Sequence, residues 1–262
     1  MVLVVHNQEA LTQACLDSLR STTAPFELCV VDNGSTDGTE AYFRAFPLPY
    51  PLRYQRNDGN VGLIRALNQG ATLATGETLC FLHNDTEMLE PTWLERLMAA
   101  LRDGGGVGLA GLYGARRLRR DGRYVGRTIV HCLVGAPRMP APMVEVAAVD
   151  GVCLALLRSL FREVGGFDES YGFFHGYDRD LSFAVRERGR RCLVVDAPFV
   201  HRGGGTRSGE GAPVAASEDI IQRREAMARF AHKWSHRLPS DVRGIRERIA
   251  SYFDPRGEKA PA

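Results

Sequence analysis

Long apolar runs are missing from this sequence. No uninterrupted stretch approaches the roughly 18 to 20 residues that a helix needs to cross a bilayer, so a membrane-spanning segment is not expected. The opening Met1-Val-Leu-Val-Val5 has neither the basic region nor the length of a signal peptide. The expectation is a soluble cytoplasmic protein, at most peripheral on the inner face of the membrane. A surplus of one charge is also lacking. Lys and Arg number 33 against 31 Asp and Glu, a formal net charge of +2, which removes the bulk phosphate attraction that a nucleic-acid partner would use. Cysteine is sparse and scattered, at positions 15, 29, 80, 132, 153 and 192 with no CxxC. That excludes a zinc site or disulfide framework. Cys29, Cys80, Cys153 and Cys192 fall in apolar runs, where a thiol behaves as a small hydrophobe.

What is present is the composition of a globular enzyme-sized domain. Hydrophobic residues make up 44% and charged residues 24% of 262, enough for a substantial core. Short apolar runs at Val2 to Val5, Leu28 to Val31, Leu52 to Gln55 and Thr78 to Leu82 read as buried strands. Between them, Leu11, Cys15, Leu16 and Leu19, then Thr39 to Phe46, then Leu63, Ala66, Leu67, Gly70 and Ala71 recur at helical spacing. Pro91 opens a further helix carrying Leu94, Leu97, Met98 and Leu101. The alternation predicts an α/β fold, a Rossmann-like, mainly parallel sheet flanked by helices. Residues 113 to 148 are rich in Arg, Gly and Pro with weak periodicity. Strand patterns return at Val107 to Leu112, Val149 to Leu157 and Cys192 to Val195, and helical ones near Asp178 to Arg188 and over Ser217 to Trp234.

In an open parallel sheet, ligands bind beyond the carboxyl ends of the strands. The residues that follow the strands are His6 and Asn7, Asp32 to Asp37, Asn57 to Asn60, and His83-Asn-Asp85, all polar. In Val30-Val-Asp-Asn-Gly-Ser-Thr-Asp-Gly-Thr39, Asp32 is placed to accept hydrogen bonds from a nucleobase or ribose; the plainer alternative is a βα loop with a helix cap. In Asn60-Val-Gly-Leu-Ile-Arg-Ala-Leu-Asn-Gln-Gly70, Gly62 sits at a helix start suited to phosphate. Arg65 and Asn68, three apart, share a face from which they can reach ribose or pyrophosphate; the plainer alternative is an ordinary helix with Asn68 capping something nearby. In Phe81-Leu-His-Asn-Asp-Thr-Glu87, Asp85 is the best candidate ligand for a Mg²⁺ or Mn²⁺ ion bridging two phosphates. His83 is open to a supporting or core role, and Glu87 reads as a solvated turn.

These stretches, in this order, resemble the bacterial glycosyltransferases of family two, including rhamnosyltransferase-like members, which have the GT-A fold. The resemblance runs from Val2 to about Thr206. It implies that His6, Asn7, Asp32, Asn60, Gly62, Arg65, Asn68 and Asn84 bind a nucleotide-sugar donor, and that Asp85 with His201 holds the ion. His83 stands where the family's Asp-x-Asp motif has its first aspartate, so metal binding rests more heavily on Asp85. Val149-Asp-Gly-Val-Cys153, Gly165-Gly-Phe-Asp168 and Gly176-Tyr-Asp-Arg-Asp-Leu181 follow the family's acceptor-side pattern. They imply Asp178 as the general base of an inverting displacement, with Tyr177 in place of the usual preceding Glu. Asp178 can also be read as only a helix cap. Asp180 then orients the acceptor or serves structure, and Arg202 or Arg207, the latter in the glycine-rich stretch from Gly203 to Pro213, neutralises charge on the leaving group. The organisation expected is one GT-A domain over 1–206, with a nucleotide-sugar half at about 1–112 and an acceptor half at about 113–206, then a flexible loop and C-terminal helical extension over 207–262.

The acceptor implied is a glycan, a lipid-linked molecule or another hydroxyl compound, with no nucleic acid. Two rivals stay in view. A sugar-1-phosphate nucleotidyltransferase should carry an N-terminal basic Gly-rich loop, which His6-Asn-Gln-Glu9 does not supply. A silent nucleotide-sugar binding module should lack a base, and Asp178 is present. Gly106 to Gly111 matches the dinucleotide fingerprint GxGxxG, but it follows a helix and itself reads as a strand. Arg116 to Arg120 reads as a solvated basic loop. Ile220, Ile221, Met227, Phe230 and Trp234 form an apolar stripe expected to pack on the body of the protein, with lipid-linked acceptors keeping a peripheral membrane contact in play.

Overall fold

The structure, a computed structural model, describes residues 1–45, 49–103, 105–137, 139–203 and 215–253. The first half runs β1 (Val2–Val5), α1 (Glu9–Leu19), β2 (Leu28–Asp32), α2 (Thr39–Ala45), β3 (Leu52–Arg56), α3 (Leu63–Leu73), β4 (Thr78–His83), β5 (Thr86–Met88), α4 (Trp93–Arg102) and β6 (Val107–Gly111). The second runs β7 (Tyr113–Ala115), β8 (Arg117–Leu118), β9 (Ile129–His131), β10 (Met143–Val146), β11 (Ala148–Val149), β12 (Cys153–Leu157), α5 (Arg158–Glu163), α6 (Tyr177–Glu187), β13 (Arg191–Val195), β14 (Phe199–His201), α7 (Ala216–Lys233), β15 (Ser240–Asp241) and α8 (Ile245–Phe253).

Among the described residues the central sheet has eight strands in the order β10-β13-β6-β12-β4-β1-β2-β3. The pairs β1·β2, β1·β4, β2·β3 and β6·β13 are parallel, while β12 runs antiparallel between β4 and β6. Alternation along each strand sends side chains to two separate cores. Val2, Cys29, Phe81 and Leu154 pack against α3, α5, α6 and α7 through Leu67, Phe161, Phe183 and Phe230. Leu3, Leu28, Cys80 and Ala155 pack against α1 and α4 through Leu16, Trp93 and Leu97. All six cysteines are free and buried. The GxGxxG stretch is the interior of β6, as its context implied.

Three departures from the sequence expectation matter. Residues 113 to 148, weakly periodic, hold β7 to β10 as short strands, too brief to leave a pattern. The run Val149 to Leu157 is not one strand: it breaks at a turn, because Asp150 N–H donates to Tyr113 O and the Asp150 carboxylate accepts from Val152 N–H. The stripe on α7 divides. Phe230 and Trp234 are buried against Phe183, whereas Ile220 and Ile221 are 66% and 50% exposed. Among the described residues no helix is long and apolar enough to cross a membrane.

Candidate active site

The carboxyl ends of β1, β2 and β4, the β11–β12 turn and the start of α6 surround a cavity of about 350 Å³. Its walls include His6, Asn33, Asn60, His83, Asn84, Asp85, Asp150, Asp178, Arg179, His201 and Arg223. Asp85 leaves the end of β4 into this space and is 7% exposed. The β5·β14 ribbon sets His201 opposite Thr86, so that the late histidine returns to the end of β4. His201 Nε2 lies 3.2 Å and His83 Nδ1 3.9 Å from Asp85 Oδ1. One ligand atom from each of the three lies within 4.8 Å of the others. Asp85 Oδ1 is buried without a hydrogen bond of ordinary geometry. Burial pushes the Asp85 carboxyl up, but His201 and His83 outweigh it and hold the group below its ordinary value. A buried, ionised carboxylate oxygen facing two imidazoles fits a divalent cation. The pair of nitrogen donors suits Mn²⁺ better than Mg²⁺, which favours an all-oxygen shell.

On the donor side the structure redistributes several expected roles. Asp32 is fully buried and turned away from the cavity. Its oxygens accept from Ser35 N–H at 2.8 Å and Tyr54 O–H at 2.7 Å, with Arg56 Nε at 3.4 Å. The next residue, Asn33, lines the cavity instead. Its amide donates to Asn60 Oδ1 at 2.8 Å and accepts from Asn57 and from Val61 N–H, each at 3.0 Å. Strand alternation explains the switch, since consecutive side chains leave β2 on opposite faces. His6 and Asn60 line the cavity as expected, with His6 Nδ1 3.0 Å from Asn33 O. Asn84 lines it too, although its amide nitrogen is tied to Thr12 on α1.

Four other expected binding residues lie off the cavity wall. Asn7 ties the first two βα loops together, accepting from Thr36 N–H and donating its own N–H to Ser35. Gly62 has φ +90°, and a Cβ there would meet the Phe173 ring at 3.2 Å. The start of α3 is not a vacant phosphate nest, because Val61, Gly62 and Leu63 N–H donate to Asn33, Asn60 and Phe173 O. Arg65 is exposed outside the cavity. Asn68 is consumed by the loop before α6: it donates to Phe167 O and Glu169 and accepts from Phe167 N–H.

On the opposite wall Asp178 stands in the first turn of α6, 5% exposed. It accepts from Gly151 N–H at 3.3 Å and Arg179 N–H at 2.8 Å. The Arg179 guanidinium lies 4.1 Å over the Tyr124 ring and 3.4 Å from Asp178. Asp150, on the same wall, has its carboxyl pushed up to about 6, first by burial and then by the Asp178 charge. Asp180 points elsewhere. It accepts from Tyr171 O–H at 2.9 Å and Trp234 Nε1–H at 2.7 Å and pairs with Lys233, so it anchors α7 to α6 and does not line the cavity. Arg207 lies outside the described residues. Sequence reasoning passed over Asn33, Asp150, His175, Arg179 and Arg223. Only Asp150, beside a glycine in a strand-like run, left a signal that could have been read.

Comparison with known proteins agrees with this architecture. Residues 1–165 match the sequence profile "Glycosyl transferase family 2". The chain belongs to that family. It is 28% identical over 232 residues to the "O-antigen biosynthesis protein RfbC" of Myxococcus xanthus, covering 78% of this chain but 17% of that protein. This family-2 chain therefore spans about a sixth of that relative's length. Among solved structures it resembles GalNAc-T7 with UDP, GalNAc and Mn²⁺, with a TM-score of 0.62 and 18% identity over 76% of this chain and 43% of that one. It also resembles the mannosyltransferase PcManGT of Pyrobaculum calidifontis with GDP-Man and Mn²⁺, with a TM-score of 0.56 and 17% identity over 97% and 78%. The fold is GT-A, followed by C-terminal helices.

Proposed function

We propose that this family-2 chain is a metal-dependent, inverting glycosyltransferase. It moves a sugar from a UDP- or dTDP-linked donor to an acceptor hydroxyl in glycan or glycoconjugate biosynthesis. The observation that carries the reading is that one cavity places the His83, Asp85 and His201 cluster across from a buried carboxylate, Asp178, on the first turn of α6. Asp85 and His201 would hold Mn²⁺ or Mg²⁺, with His83 beside them, and the ion supplies charge stabilisation to the departing diphosphate. Asn33, Asn60 and His6 form the wall where the nucleoside would lie.

Asp178 then takes the proton of the acceptor hydroxyl as its oxygen attacks the anomeric carbon and the bond from that carbon to phosphate breaks. The attack comes from the face opposite the leaving group and inverts the centre. Proton transfer needs Asp178 within about 3 Å of that hydroxyl. The Gly151 and Arg179 N–H groups fix the carboxylate for the task. Residues 1–112 serve as the donor half and 113–206 as the acceptor half of one domain, with 207–262 as its C-terminal extension.

The test is calorimetric titration of UDP and dTDP with and without Mn²⁺, on the wild type and Asp85→Asn. Binding that needs both the metal and Asp85 is the expected result. Equal binding in EDTA, or in Asp85→Asn, would remove the metal from the reading.

A further inference from the structure

The base does not stand alone on its wall. Asp150 and Asp178 flank Gly151: Asp178 accepts the Gly151 N–H, and Asp150 accepts the Val152 N–H at 3.2 Å. No side chain separates them, because a Cβ on Gly151 would lie 2.1 Å from the Tyr177 hydroxyl. Both carboxylates face the cavity. The Val152 N–H fixes one oxygen of Asp150. Next to them Arg179 also lines the cavity, and its Nε is buried without a hydrogen-bond partner. Two hydrogen-bond acceptors and one donor, held rigidly in a row, make a cradle for a molecule with neighbouring hydroxyls.

The charge of this cradle selects among acceptors. Beside Gly151 the carboxylates of Asp150 and Asp178 outnumber the Arg179 guanidinium, which is already paired with Asp178 and stacked on Tyr124, while Arg223 also lines the cavity. A phosphate brought here adds negative charge to a half-buried site that already carries an excess. A neutral polyol adds none and can donate to both carboxylates. The Asp150 carboxyl is raised first by burial and then by the Asp178 charge.

We propose that Asp150 is an acceptor-positioning residue, holding a hydroxyl next to the one that Asp178 deprotonates, so that the acceptor is a neutral sugar ring with adjacent hydroxyls and not a phosphate. The inference rests on the reading of Asp178 as base and goes beyond it by naming the acceptor class.

The experiment measures nucleotide release from the nucleotide sugar that binds, with Mn²⁺, on the wild type, Asp150→Asn and Asp150→Ser. The probes are methyl α-mannopyranoside, methyl α-rhamnopyranoside and methyl β-glucopyranoside as neutral polyols, and decyl phosphate as the phosphate acceptor. At least one glycoside should stimulate release in the wild type more than decyl phosphate does. In Asp150→Asn its KM should rise about tenfold, the scale of one lost hydrogen bond to substrate, with kcat changed far less. The acid limb of the wild-type pH profile near 6 should move down or vanish. Asp150→Ser keeps a small polar group and serves if the amide does not fold. Preference for decyl phosphate, no stimulation by any glycoside, or a fall in kcat at unchanged KM would each overturn the inference. Failure of the donor itself to bind, seen in the titration before any acceptor is added, would instead bring down the underlying glycosyltransfer reading.

Discussion

His201 Nε2 lies 3.2 Å from Asp85 Oδ1, although 116 positions separate the two residues. The β5·β14 ribbon makes this meeting, and Arg202 N–H closes it by donating to Asp85 O at 3.0 Å. A side-chain pair brought together by a short antiparallel ribbon is held by backbone geometry, so its side chains can be changed without unmaking the fold.

That sets the first expectation. His201→Ala should weaken Mn²⁺ binding at least about tenfold, while the stability of the ion-free protein changes by less than about 1 kcal/mol, because the imidazole is partly exposed. Titration of Mn²⁺ followed by electron paramagnetic resonance, beside a thermal melt in EDTA, measures both. Unchanged Mn²⁺ affinity would take His201 out of the site.

A second contrast separates neighbours on β2. Asn33→Ala removes the hub that joins Asn57, Asn60 and Val61 N–H, which should cost about 2 to 3 kcal/mol of stability and lower nucleotide affinity together. Chemical denaturation and calorimetry on the same preparation test the pair of effects. Wild-type nucleotide affinity in a folded Asn33→Ala protein would move the base-binding wall elsewhere.

On α6 two aspartates two positions apart should fail in opposite ways. Asp178→Asn should keep its melting temperature within a few degrees and lose turnover by about a hundredfold or more. Asp180→Ala should lose about 2 to 4 kcal/mol, since it strands the Tyr171 hydroxyl and Trp234 N–H in the interior, while its turnover per folded molecule falls far less than that of Asp178→Asn. A reversed pattern would exchange the roles of the two residues.

The pH dependence of Asp150 is a stability statement as well. Its native carboxyl sits at about 6, above the roughly 3.9 of an unfolded Asp. The native state therefore binds the extra proton between those values, and stability falls as pH rises through that window. Asp178, Arg179, His201 and Tyr113 are the charged and titratable groups around it. Asp150→Asn should thus raise stability at pH 7.5, with the gain shrinking toward pH 4. Melting curves across that range would show it. A variant less stable than wild type at pH 7.5 would contradict the assignment.

The sheet was legible because buried parallel strands are continuous apolar runs: Leu28 to Val31 and Thr78 to Leu82 could scarcely be anything else. The cluster of His83, Asp85 and His201 was legible in part, Asp85 from its strand end and His201 from its place in the motif series. Asn33 lines the cavity where the sequence pointed to Asp32, because a loop's sequence does not say which of two adjacent polar side chains turns inward. Arg65 and Asn68 lie off the cavity wall for the converse reason. Helical spacing places them on the surface of α3, but only tertiary contact shows that Asn68 meets the backbone of Phe167. Asp150 was hidden inside an apparent strand whose break depends on Tyr113, 37 residues earlier. Arg223 reaches the cavity from a distant helix, and no local pattern announces that.

The bolting of Asp180 to Trp234 and Lys233 has a consequence for how the chain tolerates damage. The turn that aims Asp178 takes its stiffness from the far end of α7, a helix whose last residues never touch the cavity. Trimming the chain before α7 would leave every strand of the main sheet in place while slackening the mount of one carboxylate. Such a shortened protein would also lose Phe230 and Trp234 from beside Phe183 and Arg223 from the cavity wall, so its stability and its transfer should fall together.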